Sequence, residues 1–421
     1  MKKLLSILGV VSLISTSAAT SVACGSSEDT LEILFIPSNN STEVINTVKP
    51  LESKLEAKLK ELAKKDGKEF NKKININTST NYEVASQSLR DGKVDLAFLP
   101  INSYAAYWGD ANSETGVHDK AGLLLSASRN GAVADTTLSD FQTDKNFDNS
   151  KALASMDDTK SKNLAINYNK LVGQGFASKD EANKKLQDSE HKATYYRSYI
   201  YGNVAKIKDK AKDNKILDII NPSSATKADE ASYKDALKDL FTNKSYGIKF
   251  TFSASNTSSA GTLYPIMWLK NVVGLDDAQI KDLWTGKNTQ KDYPGGASSV
   301  STGQFDVAVG FSDIRSEIKD ETESMQAYKN TVVLGASDSI INDGIMYSRK
   351  KLADADLINE LRDAFKSLVT TEQDIFKIYN HTSYVGPDSK EAANAWEKAN
   401  DEAIEKSTKG SQEVLKMIEN W

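Results

Sequence analysis

Cysteine and histidine are scarce in this chain of 421 residues, and their scarcity excludes several kinds of site. Cys24 is the only thiol, so there is neither an intramolecular disulfide nor a cysteine-built zinc site. His118, His191 and His381 stand far apart, without metal-ligand spacing such as HExxH. Basic side chains number 53 and acidic ones 58, which argues against a broad nucleic-acid-binding surface. We therefore predict no metal, no cofactor and no nucleic-acid partner.

Long apolar runs are also scarce, and the first is near the N-terminus. Lys2 and Lys3 precede the apolar run 4–14, and small residues follow as far as Ala23. This order is typical of a secretory signal, and the run is too short to span a bilayer. Cys24 follows directly and resembles the lipid-modified cysteine of a bacterial lipobox, although Ser21 replaces the usual leucine. A soluble secreted protein with a chance cysteine is the alternative.

These features predict a signal peptide over 1–23 and a lipid-anchored linker over 24–30. The mature protein is then expected at the extracellular face of the cell membrane, held there by lipid on Cys24.

The remainder of the chain alternates short β-rich runs with helical periodicity. Runs at 31–36, 74–78 and 94–99 predict strands, separated by helical patterns that end near residues 65 and 89. This alternation predicts a parallel α/β layer. Residues 135–190 are rich in Asp, Lys, Asn and Ser, which favours an insertion of surface helices and loops.

A hydroxyl-rich loop at 253–265 joins a predicted strand to an apolar helix. Glycine and small side chains let a ligand approach the backbone closely, and the helix start offers unpaired N–H groups. Together they predict an anion site that needs no net positive charge. The alternative is an ordinary turn with a helix cap.

The loop resembles that of phosphonate-binding proteins of ABC transporters, which reads S-T-S-G followed by an apolar residue, Leu, any residue and Pro. Ser258-Ser-Ala-Gly261 and Thr262-Leu-Tyr-Pro265 match it, with one hydroxyl lost at Ala260. The segments 92–104, 195–201, 303–309 and 339–347 also resemble family segments in the family's order. The resemblance is closest to high-affinity transport lipoproteins of wall-less bacteria, a subgroup associated with thiamine pyrophosphate or thiamine-like ligands.

The resemblance implies an α/β, two-lobed type II periplasmic-binding-protein fold with a cleft between the lobes. Lobe 1 is expected over 31–196, including the insertion at about 135–190, and lobe 2 over 197–339. Residues 340–421 are expected to return to lobe 1 and end in helices. The two crossover strands are expected near 195–201 and 331–343.

Ligands of open α/β sheets lie beyond the carboxyl ends of the strands. The candidate ligand-binding residues that follow strands or match the family are Ser38, Tyr82, Ser103, Tyr104, Tyr199, Ser258, Ser259, Gly261, Thr262, Asp313 and Arg315. Core packing is the alternative for each tyrosine, and pairing with surface acids such as Glu317 is the alternative for Arg315.

The predicted function is that of an extracellular substrate-binding lipoprotein of an ABC importer. It would capture a phosphorylated or phosphonate solute, such as a thiamine pyrophosphate-like molecule or an alkylphosphonate, and deliver it to permease and ATPase subunits. Two alternatives stay open: a surface adhesin that uses the insertion, and an extracellular phosphate-ester hydrolase. The chain has no G-x-S-x-G elbow and no GxxxxGK[ST] loop, and no catalytic residue is predicted.

Overall fold

The computed structural model describes residues 29–36, 41–138, 156–223, 230–311 and 313–421. Its strands are β1 Thr30–Phe35, β2 Lys73–Thr78, β3 Leu96–Leu99, β4 Ala121–Ala132, β5 Gln187–Ala193, β6 Tyr195–Asn203, β7 Thr251–Ser253, β8 Asn288–Gln290, β9 Val307–Phe311, β10 Thr331–Ile341, β11 Gly344–Ser348 and β12 Ser383–Val385. Its α-helices are α1 Ser41–Val48, α2 Leu51–Lys65, α3 Tyr82–Arg90, α4 Ile101–Ala105, α5 Asp158–Gly173, α6 Lys179–Leu186, α7 Val204–Lys210, α8 Ile216–Ile219, α9 Glu230–Thr242, α10 Tyr264–Asn271, α11 Asp277–Thr285, α12 Tyr293–Ser301, α13 Glu321–Asn330, α14 Ala355–Thr371, α15 Gln373–Phe376 and α16 Ala393–Glu419.

Several predicted features fall outside the described residues: the signal peptide, Cys24 and the linker as far as residue 28, Ser38, and the insertion over 139–155. Across the described ranges, no helix is both long enough and apolar enough to span a bilayer.

Lobe 1 is built on one seven-stranded sheet. Its order is β12-β4-β11-β3-β1-β2, with β5 paired to β4. The β1 strand runs parallel to β2 and β3, as the alternating pattern predicted, and its residues Leu31, Ile33 and Phe35 are buried. The β11, β4 and β12 strands complete the sheet in antiparallel fashion. Leu99, at the carboxyl end of β3, therefore lies beside Gly344 of β11.

Lobe 2 has a smaller sheet in the order β10-β6-β9, all antiparallel. A parallel bridge between Phe250 and Val307 joins it to the short parallel pair β7 and β8. Its core includes Phe252, Trp268 and Tyr201, each essentially inaccessible to solvent. The core of each lobe is separate, so the two lobes can hold their shapes independently.

The two lobes are connected through β6 and β10, which pair from Asn203–Thr331 to Tyr195–Ile341. At the lobe boundary the Asn342 amide N–H donates to the Thr194 carbonyl at 2.8 Å. The Asn342 side-chain amide donates to two further carbonyls, those of Ala127 and Ala193, at 2.9 Å each. These bonds tie both crossovers to β4 of lobe 1.

The described part of the insertion requires a correction to the predicted domains. Leu164, Ala165 and Tyr168 of α5 lie in the core of lobe 2, and α5 packs on β10. These apolar residues at positions i, i+1 and i+4 form a buried helical stripe inside a polar composition. The average composition concealed the stripe, and the prediction of surface helices within lobe 1 is wrong for α5.

The C-terminal helix α16 packs against both lobes, whereas the prediction returned this part of the chain to lobe 1. Ile404 belongs to the core of lobe 1, and Leu415 and Ile418 belong to that of lobe 2. The Tyr264 hydroxyl of lobe 2 donates to the Ser407 carbonyl at 3.2 Å. The long apolar stripe of α16 therefore braces the two lobes on one side of the molecule.

Candidate functional site: a cavity between the lobes

The hydroxyl-rich loop forms a tight turn that leads into α10. Ser258 Oγ accepts a hydrogen bond from the Gly261 N–H at 3.2 Å, and the Ser258 carbonyl accepts from the amides of Thr262 and Leu263 at 3.0 Å. A side chain at Gly261 would place its Cβ 2.6 Å from the Cβ of Ser253. Gly261 is therefore required by the packing of the loop itself, and Thr262 supports the same turn.

The start of the loop docks on lobe 1 through a carboxylate. Ser255 Oγ and Thr257 Oγ1 both donate to Glu83 Oε1, at 2.7 and 2.9 Å. Further along, Asn102 Nδ2 donates to Ser259 Oγ at 2.9 Å. Because Glu83 occupies the hydroxyls of Ser255 and Thr257 and would repel an anion there, the Ser258–Ser259 part of the loop is better suited to bind one.

A cavity lies between the lobes at this part of the loop. Its lining comes from both lobes and the crossover, and comprises Ile36, Tyr82, Pro100, Arg129, Tyr196, Ser258, Ser259, Tyr293, Phe311, Asp343 and Tyr379. Its volume is about 20 Å³, room for roughly one water molecule. The lobes are thus closed on each other, and a larger solute enters only when they separate.

A buried arginine supplies the positive charge of the cavity. Arg129, on β4, is 5% exposed and pairs with Asp343 of the crossover, Nη2 to Oδ2, at 2.6 Å. Its guanidinium lies 4.5 Å from the ring centroid of Tyr196. Burial by itself would raise the pKa of Asp343, but Arg129 and His381 lower it below the ordinary value. The carboxylate of Asp343 is therefore ionised at neutral pH.

Tyrosine hydroxyls provide neutral donors around the same space. The hydroxyls of Tyr293 and Ser258 are 3.3 Å apart and share a hydrogen bond. Burial raises the pKa of Tyr293 to about 12, and it raises the pKa of Tyr82 well above its usual value. Both phenols remain protonated at neutral pH, so they can donate to an anion. Tyr379 already donates to the Ile36 carbonyl, at 2.6 Å.

The structure brings three of the predicted residues into the cavity: Tyr82, Ser258 and Ser259. Ser103 lies behind the loop, with its hydroxyl 3.4 Å from Thr257 Oγ1. Tyr104 is buried under α16, where its hydroxyl donates to Asp401 at 3.1 Å.

The remaining predicted residues, Tyr199, Asp313 and Arg315, form part of a buried cluster in lobe 2. Tyr199 packs on Tyr168, with ring centroids 4.8 Å apart. Arg315 is fully buried and binds Asp313 with two nitrogens, at 2.8 and 2.7 Å. Its guanidinium also lies 4.4 Å from the ring centroid of Tyr328. Arg315 does not line the inter-lobe cavity, and it pairs with Asp313, two residues away, instead of Glu317.

Sequence reasoning missed the other eight lining residues, among them the charged pair Arg129 and Asp343 and the aromatic Tyr196 and Tyr293. Two signals were available. Arg129 interrupts the small and apolar residues at the end of a strand, and Asp343 lies in the two-residue link between β10 and β11. Their proximity depends on the antiparallel return of the chain, which no local pattern encodes.

A two-lobed α/β protein with a cavity at its crossover has the architecture of a periplasmic binding protein. Residues 211–392 match the family model described as "ABC transporter, phosphonate, periplasmic substrate-binding protein". This confirms the resemblance predicted from the loop, and the model describes substrate-binding proteins rather than an enzyme family.

Solved structures of similar fold include Mh-p37 of Mycoplasma hyorhinis, which has been proposed to be a thiamine pyrophosphate transporter. It is 15% identical, with a TM-score of 0.57, and the alignment covers 89% of this chain and 98% of Mh-p37. PhnD1 of Prochlorococcus marinus, solved with methylphosphonate, is 12% identical, with a TM-score of 0.48 and coverage of 91% and 100%. The likeness to Mh-p37 confirms the predicted two-lobed fold.

Proposed function

We propose that this protein is the substrate-binding component of an ABC importer and captures a phosphate- or phosphonate-bearing solute between its lobes. The observation that carries the proposal is the composition of the inter-lobe cavity. There, Ser258 and Ser259 of lobe 2 meet Arg129 and Tyr82 of lobe 1. Neutral hydroxyl donors and one partly neutralised guanidinium suit a phosphorus-centred anion, which offers several acceptor oxygens.

The aromatic walls favour a solute that also carries a flat organic part. Tyr196, Tyr293 and Phe311 line one side of the cavity, and Asp343 lies beside them. Aromatic faces bind planar rings, and a carboxylate attracts a ring that carries positive charge. A thiamine pyrophosphate-like ligand combines these groups, whereas an alkylphosphonate would use the hydroxyl donors alone. The role proposed for the similarly folded Mh-p37 points in the same direction.

Transport then depends on separation and closure of the lobes about the crossovers. Thr194 and Asn342 mark the hinge, because the chain passes between the lobes at both residues. A closed, loaded form differs in shape from an open one, and a permease can distinguish them. Since the chain lacks an ATP-binding loop of the GxxxxGK[ST] type, an ATPase subunit would supply the energy.

The membrane attachment is part of the same proposal. Cys24, with lipid attached, would hold the protein at the extracellular face beside its permease. Metabolic labelling with palmitate tests this: label should enter the protein and disappear in Cys24→Ala.

Thermal-shift titration with thiamine pyrophosphate, thiamine, phosphate and methylphosphonate tests the binding function. A ligand at 100 times its dissociation constant should stabilise the protein by about 2.7 kcal/mol. The ligand should be recovered chemically unchanged. Release of phosphate would instead support a hydrolase, and no response to any phosphorus-bearing compound would overturn the proposal and favour an adhesin.

A further inference from the structure

A second, larger cavity shares Arg129 with the inter-lobe cavity. Its volume is about 550 Å³, and lobe 1, lobe 2 and α6 all contribute to its lining. We call it the basic chamber, after the charged residues that line it: Arg129, Lys179, Lys192, Lys377 and, with opposite charge, Glu317. Arg129 lines both the basic chamber and the inter-lobe cavity.

The charges of the basic chamber are strongly one-sided. Four cations line it against the single lining carboxylate of Glu317, in a protein whose formal net charge is −5, and two of them, Arg129 and Lys377, also pair with aspartates outside the lining. The carboxylate of Glu317 accepts a hydrogen bond from Asn380 Nδ2 at 3.2 Å, and burial raises its pKa. Such a local excess of positive charge in a concave site attracts anions.

The lysines are held at the wall in different ways. Lys179 Nζ donates to the Ile318 carbonyl at 2.7 Å, which fixes the ammonium group without neutralising it. Lys377 pairs with Asp374 at 2.9 Å at the surface, where both side chains are exposed and the interaction is weak. An anion inside the chamber could therefore compete for both cations.

A buried side chain shared by the two cavities carries an unsatisfied donor. Arg129 is 5% exposed, and among the described residues its Nε has no hydrogen-bond partner. Asp343 occupies only Nη2. A buried donor without a partner is costly unless a ligand or ordered water satisfies it.

We infer that the basic chamber is a second anion-binding site, which takes a phosphate or diphosphate group. The group belongs either to the solute in the inter-lobe cavity, in which case the inference rests on the proposed function, or to a separate anion. In the first case one solute occupies both cavities, and Arg129 contacts it where the cavities meet. In the second case the chamber and the inter-lobe cavity are occupied independently.

Isothermal titration calorimetry with three probes tests the inference: methylphosphonate, inorganic pyrophosphate and thiamine pyrophosphate. The double variant Lys192→Gln/Lys377→Gln removes two cations from partly or fully exposed positions, so folding should be unaffected. We expect pyrophosphate and thiamine pyrophosphate to bind about tenfold more weakly or worse, because charge-assisted contacts are lost. Methylphosphonate should change less than about twofold.

Lys184→Gln is the matched control, because Lys184 lies on α6 outside the chamber, pairs with Asp180 and is 74% exposed. It should leave all three affinities unchanged. Competition separates the two sources of the group. If one solute fills both sites, thiamine pyrophosphate displaces methylphosphonate and pyrophosphate together; if the anions are separate, methylphosphonate and pyrophosphate bind at the same time.

Unchanged affinity of the double variant for both diphosphate probes would overturn the inference, as would an equal loss for methylphosphonate. Wild-type protein that binds methylphosphonate but neither diphosphate would overturn this inference and leave the proposed function in place. Wild-type protein that binds only inorganic pyrophosphate, in a lysine-dependent manner, would support the chamber and overturn the proposed function.

Discussion

Arg129 and Asp343 form a 2.6 Å ion pair that joins the central sheet of lobe 1 to the crossover between the lobes. The two residues are 214 positions apart in the chain. The pair lies where the inter-lobe cavity meets the basic chamber, since Arg129 lines both. Among the described residues that line the two cavities, Arg129 is the only buried cation. Its ion pair with Asp343 holds it at the hinge.

Arg129→Met should weaken both stability and ligand binding. It leaves the Asp343 carboxylate buried without its partner, and breaking a buried pair costs about 3–5 kcal/mol. Urea unfolding measures this loss, and titration with thiamine pyrophosphate under folded conditions measures the affinity. An unchanged affinity would mean that Arg129 does not contact the solute.

Arg315→Met is the matched control, because Arg315 is also buried and paired with an aspartate but lies outside both cavities. It should lose stability in the same range, about 3–5 kcal/mol, with no change in affinity of the folded protein. A loss of affinity equal to that of Arg129→Met would show that Arg315 contributes to ligand binding.

Ser258→Ala should reduce stability and affinity together. The hydroxyl accepts from the Gly261 N–H, and loss of such a cap costs about 0.5–2 kcal/mol. The same hydroxyl lines the cavity, so affinity for methylphosphonate should fall by a comparable amount. Ser245→Ala, at an exposed site in lobe 2, should change neither quantity. An unchanged affinity in Ser258→Ala would show that the Ser258 hydroxyl does not contact the ligand.

Gly261→Ala should destabilise the loop itself. The added Cβ would lie 2.6 Å from the Cβ of Ser253 and 2.7 Å from Ser258 Oγ, so the loop must shift, at a cost of about 1–3 kcal/mol. Gly173→Ala is the control, because nothing lies within 4 Å of its Cβ and its φ is not positive. Thermal melting compares the two. Equal melting temperatures would show that the loop accommodates a side chain without strain.

The stability of the protein should fall as the pH rises from about 4 to about 7, through Asp401 of α16. Burial, and then the nearby Glu397, raise the pKa of Asp401 from 3.8 to about 7. Over this range the folded protein keeps a proton that the unfolded chain releases. The unfolding free energy therefore decreases with pH, by at most about 1.4 kcal/mol per unit.

Asp401→Asn should remove this slope and stabilise the protein at pH 8, since the amide needs no proton to remain neutral. Urea unfolding at pH 5, 6, 7 and 8 measures the effect. Glu402→Gln, at the exposed neighbouring position, should keep the slope of the wild type. A slope that persists in Asp401→Asn would assign it to another group.

Much of lobe 1 could be predicted because its strands are continuous apolar runs closed by turns. The predicted strand 31–36 corresponds to β1, and 74–78 to β2. The loop at 253–265 was also located correctly between a strand and a helix, because hydroxyl residues and glycine have a local conformational meaning. Strand β10 continues through small polar residues with weak strand preference, such as Ser337 and Ser339, because β6 pairs with it.

The sequence by itself determined the alternation of strands and helices, the family resemblance and the loop, since each depends on residues that are close together in the chain. Only the tertiary structure decided which polar side chains share a cavity. Asp313 and Arg315 form their pair within one turn, whereas Arg129 reaches Asp343 because β11 returns antiparallel to β4. Long-range pairing of this kind follows from how whole sheets pack, and the spacing of residues along the chain carries no record of it.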